Sequence, residues 1–370
     1  MKIVASREAL HRGFQRLGGV VAAGAQQPLY RHVKVEATAD ALHLSATDLE
    51  VGLRLQVSDV TVEEPGSILV PHARIAPLLG ATPDEQITLT EDDGAVVIET
   101  ERSRFRMLGE DPADFASLPE LPEEGVVEID PEVLRYMVRR TIFATADEKG
   151  RYALHGVLCI IGKEDTIEMV AADGARLAHV RKKASNPEGV EEEFIVMRAG
   201  LEQMARLGDY GKEPVRFAVD DGRMVAENDA GRLVCQLVEG QFPNFREVIP
   251  REGKVTVQLP THELHNAVRR ASLMTTEETR VVEFTFSSSG LAITAEAPDV
   301  GKAELRMEIE YEDEEAGISF NPDFLDDFLG IVEREAVKMR FTDRRSPCVF
   351  KSGLDCTYVV SPVIREEAEV

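Results

Sequence analysis

A strand-into-helix pattern occurs three times along the 370 residues, roughly a third of the chain apart, so this chain is constrained to fold as copies of one unit. Residues 2–16 read KIVASREALHRGFQR, residues 126–140 VVEIDPEVLRYMVRR, and residues 255–270 VTVQLPTHELHNAVRR. In each, strand-like alternation gives way to helical spacing: a Leu, a large apolar residue four positions on, and an Arg two further. The triplets are Leu10, Phe14, Arg16; Leu134, Val138, Arg140; and Leu264, Val268, Arg270. At 100° per residue the two apolar members share a face and the Arg lies about 240° round, which predicts an apolar-in, basic-out helix.

Two further markers step with the first. Val70, Ile75 and Leu78 recur as Val196, Leu201 and Met204, and again as Phe320, Leu325 and Phe328, with Gly80 and Gly330 two residues beyond. An alternating strand running into an acidic turn ends at Asp48, at Asp173 and at Asp299. Triplication of one unit with two helices and several strands accounts for all three. The stretches LPELPEEG (118–125) and VIPREG (248–253) precede the first strand of the second and third copies, so the expected domains are 1–124, 125–248 and 249–370. The fold class is α+β and mostly β, with alternating runs such as ALHLSA, GAVVIETE, VEFTF and LAITAEA. Asp92-Asp93-Gly94 and Asp220-Asp221-Gly222 read as tight hairpin turns rather than metal loops, because Gly accepts positive φ at little cost.

Charge is the feature most easily misread. The net charge of -25 argues against nucleic acid until its distribution is followed. Five helical segments, 7–17, 72–80, 132–142, 198–208 and 262–272, sum to +7, whereas the sixth, 321–335, stands at -4. The acid lies elsewhere, in Glu191 to Glu193, in EYEDEE (310–315) and in the tail with Glu366, Glu367 and Glu369. Those runs read as solvated loops and a frayed end that aid solubility. With a screening length of about 8 Å at physiological salt, an acidic exterior does not cancel a basic lining on another surface.

Catalytic chemistry finds no foothold. There is no phosphate-binding glycine loop and no G-x-S-x-G elbow, and the recurring aspartates belong to turns. His262 and His265 in HELH lack the spacing of a zinc site and an obvious third ligand, so they read as polar residues at a helix start. Cys159, Cys235, Cys348 and Cys356 sit in strand-like runs without CxxC pairing, as buried thiols of a reducing compartment do. Met1 to Val20 does not resemble a signal peptide and no run approaches the roughly 20 apolar residues of a membrane span, so a soluble, cytoplasmic protein is expected. Repeated structure without a repeated active site suggests a scaffold rather than an enzyme, with no cofactor and no metal.

Several short matches in fixed order resemble one family over essentially the whole length. They are SATDLE (45–50), SRFRML with PADF (103–115), RYALHGV (151–157), AADGARLA (171–178), LVEGQFPNF (237–245) and YVVSPV (358–363). The chain is similar to the bacterial DNA polymerase III beta subunit, or sliding clamp, family. That resemblance implies a DNA-clamp fold in which three similar domains form a half ring and two chains close head to tail around duplex DNA. Inner helices then line the hole and outer antiparallel sheets continue across the joints. The implied function is a processivity factor, a non-catalytic subunit that tethers the replicative DNA polymerase and other DNA-processing proteins. Implied partners are a second copy of the chain, duplex DNA of any sequence, the polymerase catalytic subunit, a clamp loader and other proteins carrying a clamp-binding motif, with no membrane.

Residue by residue, the resemblance implies an apolar peptide groove formed by Leu154, Ala172, Gly174, Ala175, Arg176, Leu177, Pro243 and Val248, joined by Asn321, Phe324, Val360, Ser361, Pro362 and Val363. A competing reading puts Leu177, Val360 and Val363 in core strands. DNA-facing residues would be Arg12, Arg16, Arg135, Arg139, Arg140, Arg198, Arg206, Arg269 and Arg270. The dimer joint would set Arg74, Arg102, Arg104, Phe105 and Met107 against Leu273, Asp299 and Glu304. Departures from the family pattern are Ala175 in place of the His before the Arg, Ser361 in place of Met, Lys302 where an acid is common, and REEAEV beyond Ile364. They imply a smaller groove with an acidic extension near it, and a weaker set of ion pairs across the joint. Against this stand an acidic enzyme or ligand-binding protein with a site between domains, and a DNA-independent interaction scaffold.

Overall fold

The structure is a computed structural model in which residues 1–21, 27–147 and 153–364 are described; Arg151 and Tyr152 of the RYALHGV match and the acidic extension 365–370 lie outside the described residues. The first third holds β1 (Lys2–Ser6), α1 (Arg7–Leu17), β2 (His32–Ala37), β3 (Leu42–Thr47), β4 (Val51–Val57), β5 (Val60–Glu64), β6 (Gly66–Pro71), α2 (His72–Ala81), β7 (Gln86–Asp92), β8 (Ala95–Glu99) and β9 (Arg104–Leu108). The middle third holds β10 (Val127–Ile129), α3 (Pro131–Arg139), β11 (Gly156–Gly162), β12 (Thr166–Ala172), β13 (Arg176–Lys183), β14 (Glu192–Met197), α4 (Arg198–Tyr210), β15 (Val215–Asp220), β16 (Arg223–Asn228), β17 (Gly231–Gln236) and the single turn α5 (Phe245–Val248). The last third holds β18 (Val255–Pro260), α6 (Thr261–Ser272), β19 (Val282–Ser287), β20 (Gly290–Ala297), β21 (Gly301–Met307), β22 (Ala316–Phe320), α7 (Pro322–Leu329), β23 (Ala336–Phe341), β24 (Cys348–Ser352) and β25 (Cys356–Val360).

All three sequence markers fall where the repeat requires. The strand-to-helix pattern is β1–α1, β10–α3 and β18–α6; the second set is β6–α2, β14–α4 and β22–α7; the acidic turns follow β3, β12 and β20. Asp48 Oδ1 accepts from the amides of Glu50 and Val51 at 2.9 and 2.7 Å, and Asp173 Oδ1 from those of Ala175 and Arg176 at 2.9 Å. The first two recurring aspartates are therefore side-chain-closed turns, which is why an Asp is needed there. Asp93-Gly94 and Asp221-Gly222 each have positive φ at both positions, the requirement of a two-residue hairpin turn that matches strand twist. In α2 the buried residues are Ile75 and Leu79, and Leu78 is half-buried beside them.

Two compact units arise, and each is built round one long sheet. The first comprises Met1–Leu134, Ala184–Val190 and Ala199–Leu237. It carries a five-stranded sheet, β5-β1-β7-β8-β9, and an eight-stranded sheet, β10-β15-β16-β17-β4-β3-β2-β6. Strand pairing crosses a repeat boundary here: β17 is antiparallel to β4, with Gly231 opposite Leu55 and Leu233 opposite Leu53. The backbones approach so closely that a Cβ on Gly231 would lie 2.1 Å from the Arg54 carbonyl oxygen, so only Gly fits. Leu10, Phe14 and Leu17 of α1 are fully buried under this unit's sheets.

The second unit comprises Arg135–Lys183, Glu191–Arg198 and Val238–Val370. Its eight-stranded sheet runs β14-β11-β12-β13-β25-β24-β23-β18, and its four-stranded sheet β21-β20-β19-β22. The boundary is crossed by β13 and β25, with Arg176 opposite Val360 and Val180 opposite Cys356. A chain of buried rings holds the two sheets and α7 together. Phe284 meets Phe320 edge-on at 5.4 Å, Phe320 lies 6.1 Å from Phe350, and Phe328 stacks on Tyr358 at 4.6 Å. Such pairs contribute about 0.5 to 1.5 kcal/mol each beyond the area they bury. The four cysteines are buried, and burial pushes the Cys356 thiol up to about 12, so its nucleophilic thiolate form is suppressed.

Candidate functional site

Residues expected at a peptide groove gather in the second unit along the β13–β25 seam. A core cluster of Ala153, Leu158, Val170, Ala172, Leu177, Ile195, Phe245, Val349 and Val359 underlies it, with Leu154, Ile160, Val238, Phe242 and Ile249 packed half-buried against that cluster. Leu177 and Val360 are 4% and 0% exposed, so these two are core as the competing reading had it, whereas its third residue, Val363, is half-buried; Ala172, at 6%, is core as well. Alternation along a strand explains the division: seam residues that point into the sheet core cannot also present themselves to a partner. Leu154, Ala175, Pro243, Phe324, Ser361, Pro362 and Val363 are half-buried, and Val248 is exposed at 49%. The segment after β25 is fixed by Ser361 donating to the Ala175 carbonyl and Val363 to that of Ser319, both at 2.8 Å.

Arg176 is the hub of this region rather than an exposed recognition group. Its Nε donates to Asp173 at 2.8 Å, one terminal nitrogen to Asp327 on α7 at 2.5 Å, and the other to the Phe143 carbonyl at 2.9 Å. Its guanidinium also lies 4.5 Å from the centre of the Phe324 ring. Burial alone would lower its pKa, but the carboxylates of Asp327 and Asp173 overcome this and raise it. Asn321 accepts from the Asp323 amide at 3.0 Å and caps α7, and Pro322 starts the helix. The two residues are thus helix-starting elements that set where Phe324 stands. Asp173, Asp327, Phe143 and Tyr358, which fix these walls, are not legible as a set in sequence. Val238, Phe242 and Phe245 lie inside the LVEGQFPNF match and are further apolar residues of this region that the match could have supplied.

The basic residues divide sharply. Arg12, Arg135, Arg139, Arg198, Arg206, Arg269 and Arg270 are exposed, each on a helix whose opposite face is buried. Arg16 is half-buried with its guanidinium 4.1 Å from the Tyr210 ring centre. Arg140 contradicts the basic-out expectation: it is 4% exposed. The helix ends at Arg139, so extrapolation at 100° per residue fails one position later, and the side chain turns inward. It lies 3.7 Å over the Tyr136 ring and 3.8 Å from Glu333. The acidic segment 321–335 is explained by its partners. Asp323 pairs with Arg280, Asp326 with His265 at 2.7 Å and Arg269 at 3.8 Å, Asp327 with Arg176, and Glu333 with Arg139 and Arg140. His265 is thereby engaged by a carboxylate. Among the described residues no group of three or more His, Cys, Asp or Glu could hold a metal ion.

Four of the residues expected at a dimer joint lie on strands that end their sheets. Arg104, Phe105 and Met107 are on β9, the last strand of the five-stranded sheet, and Glu304 on β21, the last of the four-stranded sheet. Arg74 on α2, Arg102 and Asp299 are exposed. Phe105 is 37% exposed and Leu273, just past α6, 69% exposed. Leu108 at 74% and Val300 at 46% are further apolar groups on these edges that the family pattern did not mark. The edge charges are paired within the chain: Arg104 with Glu99 at 3.2 Å, Arg306 with Glu304 at 2.9 Å, and Lys302 with Glu296 at 3.8 Å.

Comparison with known proteins follows the same threefold division. Three family models match: the DNA polymerase III beta subunit N-terminal domain at residues 1–119, its central domain at 128–244 and its C-terminal domain at 246–363. The beta sliding clamp of Chlamydia muridarum is 30% identical over 364 residues, covering 98% of this chain and 99% of that one. That of Vibrio cholerae is 29% identical over 369 residues, with 98% and 100% covered. Among solved structures, the DNA polymerase III subunit beta from Pseudomonas aeruginosa superposes with a TM-score of 0.92 at 29% identity over 99% of this chain and 100% of that one. The Bacillus subtilis sliding clamp has the same fold, with a TM-score of 0.94 at 22% identity over 99% and 100%. With three clamp domains accounted for and relatives matched from end to end, the chain belongs to the bacterial DNA polymerase III beta subunit family, the beta sliding clamps.

Proposed function

We propose that two copies of this chain close head to tail, β9 of one beside β21 of the other, into a ring that encircles duplex DNA and tethers a replicative polymerase. One observation carries the reading: seven arginines stand on the exposed sides of four helices that repeat through the chain, while the opposite sides are buried. Phosphate contacts of this kind hold no sequence information, which suits a protein that slides over any duplex. Residence would come from topology rather than affinity, so each contact can be weak and the net charge of -25 is no obstacle. Three clamp domains at 1–124, 125–248 and 249–370 per chain would make up the ring.

Partners would dock at Leu154, Pro243, Val248, Phe324, Pro362 and Val363, where half-buried apolar surface lies beside the β13–β25 seam. An extended peptide with Leu and Phe side chains fits such a surface, and tethering then keeps the bound polymerase at high effective concentration. Catalysis belongs to that partner; this chain acts without cofactor in the cytoplasm. The test is to load the protein onto nicked circular DNA with a clamp loader and then linearise the circle. A ring held by topology runs off the ends, whereas a protein held by affinity stays bound and would refute the reading.

A further inference from the structure

Two exposed arginines assigned to DNA in the second unit, Arg139 and Arg269, touch acids that come from elsewhere in the chain. Glu333 lies 3.5 Å from Arg139 and Asp326 lies 3.8 Å from Arg269, each acid coming from the segment 321–335, far away in sequence. Neither acid is devoted to its exposed arginine. Glu333 also meets buried Arg140 through its other oxygen at 3.8 Å, and Asp326 also meets His265 at 2.7 Å. Each carboxylate therefore stays in position when the exposed arginine leaves, because a second partner holds it. In the first unit, Arg12 meets the local Glu8 of its own helix at 3.3 Å.

A carboxylate beside a guanidinium offsets the charge a phosphate would meet: Arg139 donates to Glu333 at 3.5 Å, and Asp326 stands as the ion-pair partner of Arg269 at 3.8 Å. Pairs this exposed are weak, about 0 to 1 kcal/mol, so exchange with a passing phosphate is rapid. We propose that Glu333 and Asp326 are built-in competitors of DNA phosphate that hold Arg139 and Arg269 in reserve. They lower the number of phosphates the second unit neutralises at any moment, and thus the drag of the ring on DNA. The proposal rests on the reading of these helices as a DNA-facing surface. It gives a function to the acidic segment that breaks the basic pattern of the other helices: the acid is placed where it restrains the arginines, rather than where it repels DNA outright.

The test is equilibrium binding of the full-length protein to a short fluorescent duplex across a potassium chloride series, for the wild type, Asp326→Asn, Glu333→Gln and Arg269→Ala. Each arginine released to phosphate should steepen the slope of log K against log[salt] by part of the about 0.9 that one phosphate contact contributes, and its removal should take away the remaining part. Asp326→Asn and Glu333→Gln are expected to do so, and Arg269→Ala to make the slope shallower. Glu333→Gln removes a partner of buried Arg140, so its melting is measured alongside; should it not fold, Asp326→Asn alone decides. An unchanged slope in Asp326→Asn with a shallower one in Arg269→Ala overturns the competitor role while leaving the DNA surface intact. Slopes that ignore Arg269→Ala as well overturn both.

Discussion

Tyr358 on β25 donates its hydroxyl hydrogen to the Phe324 carbonyl across 2.8 Å, while its ring stacks on Phe328 at 4.6 Å. One side chain thus ties α7 to the long sheet by a polar and an apolar contact. Burial pushes the phenol's pKa up, so the proton needed for this bond stays on. Tyr358→Phe keeps the stack and loses the bond, and is expected to lower stability by about 1 kcal/mol in urea unfolding.

Arg176 makes the comparable link on the other side of Phe324. Arg176→Leu strands Asp173 and the Phe143 carbonyl and frees α7 from β13. The expected loss is about 2 kcal/mol. Calorimetry should also find at least a tenfold drop in affinity for a Leu- and Phe-containing clamp-binding peptide, with DNA binding unaltered.

Arg139 and Arg140 are neighbours with opposite fates. Arg140→Ala removes a buried cation from the Tyr136 ring and from Glu333, and should cost about 2 kcal/mol of stability. Arg139→Ala should leave the melting temperature almost unmoved, because exposed pairs contribute about 0 to 1 kcal/mol. Thermal unfolding of the two variants separates them.

Arg104 on β9 and Lys302, Glu304 and Arg306 on β21 have partners within their own chain, so ring closure should depend chiefly on apolar contact and strand pairing. Phe105→Ala and Leu273→Ala are each expected to shift the sedimentation profile to monomer at micromolar concentration. Adding salt should weaken the wild-type dimer only modestly, since exposed ion pairs of the kind open to Arg102 and Asp299 contribute about 0 to 1 kcal/mol each.

Acid should destabilise the second unit through Glu168. The hydrogen bond with His179 at 2.8 Å holds its carboxyl below the usual carboxylate range; burial opposes this, and Arg246 and Arg181 reinforce it. A depressed carboxyl pKa gives stability that is present above the unfolded carboxylate value and lost as pH falls through the folded one. Glu168→Gln should therefore lower stability at neutral pH by about 1 to 2 kcal/mol and flatten the acid limb of a stability-against-pH curve.

The repeat was legible because strand-into-helix changes of period and side-chain-closed turns are local: Asp48 and Asp173 can be read from a few neighbouring residues. Arg140 was misplaced because helix phase gives no warning of where a helix stops. The groove residues were reached through family likeness, and likeness could not separate Leu177 and Val360, which lie in the core, from Val363 beside them. The partners of Arg176 were out of reach for another reason. Asp327 lies 151 positions away, and only a folded chain brings them together.

The β4–β17 and β13–β25 ladders carry one further consequence. Where amides and carbonyls are zipped straight through the splice between neighbouring copies, there is no swivel, and Gly231 locks the first splice so tightly that even a methyl group would jam it. Each splice therefore acts as a stiff rib inside its own unit, and a load applied to either copy is passed to its neighbour rather than absorbed at the join.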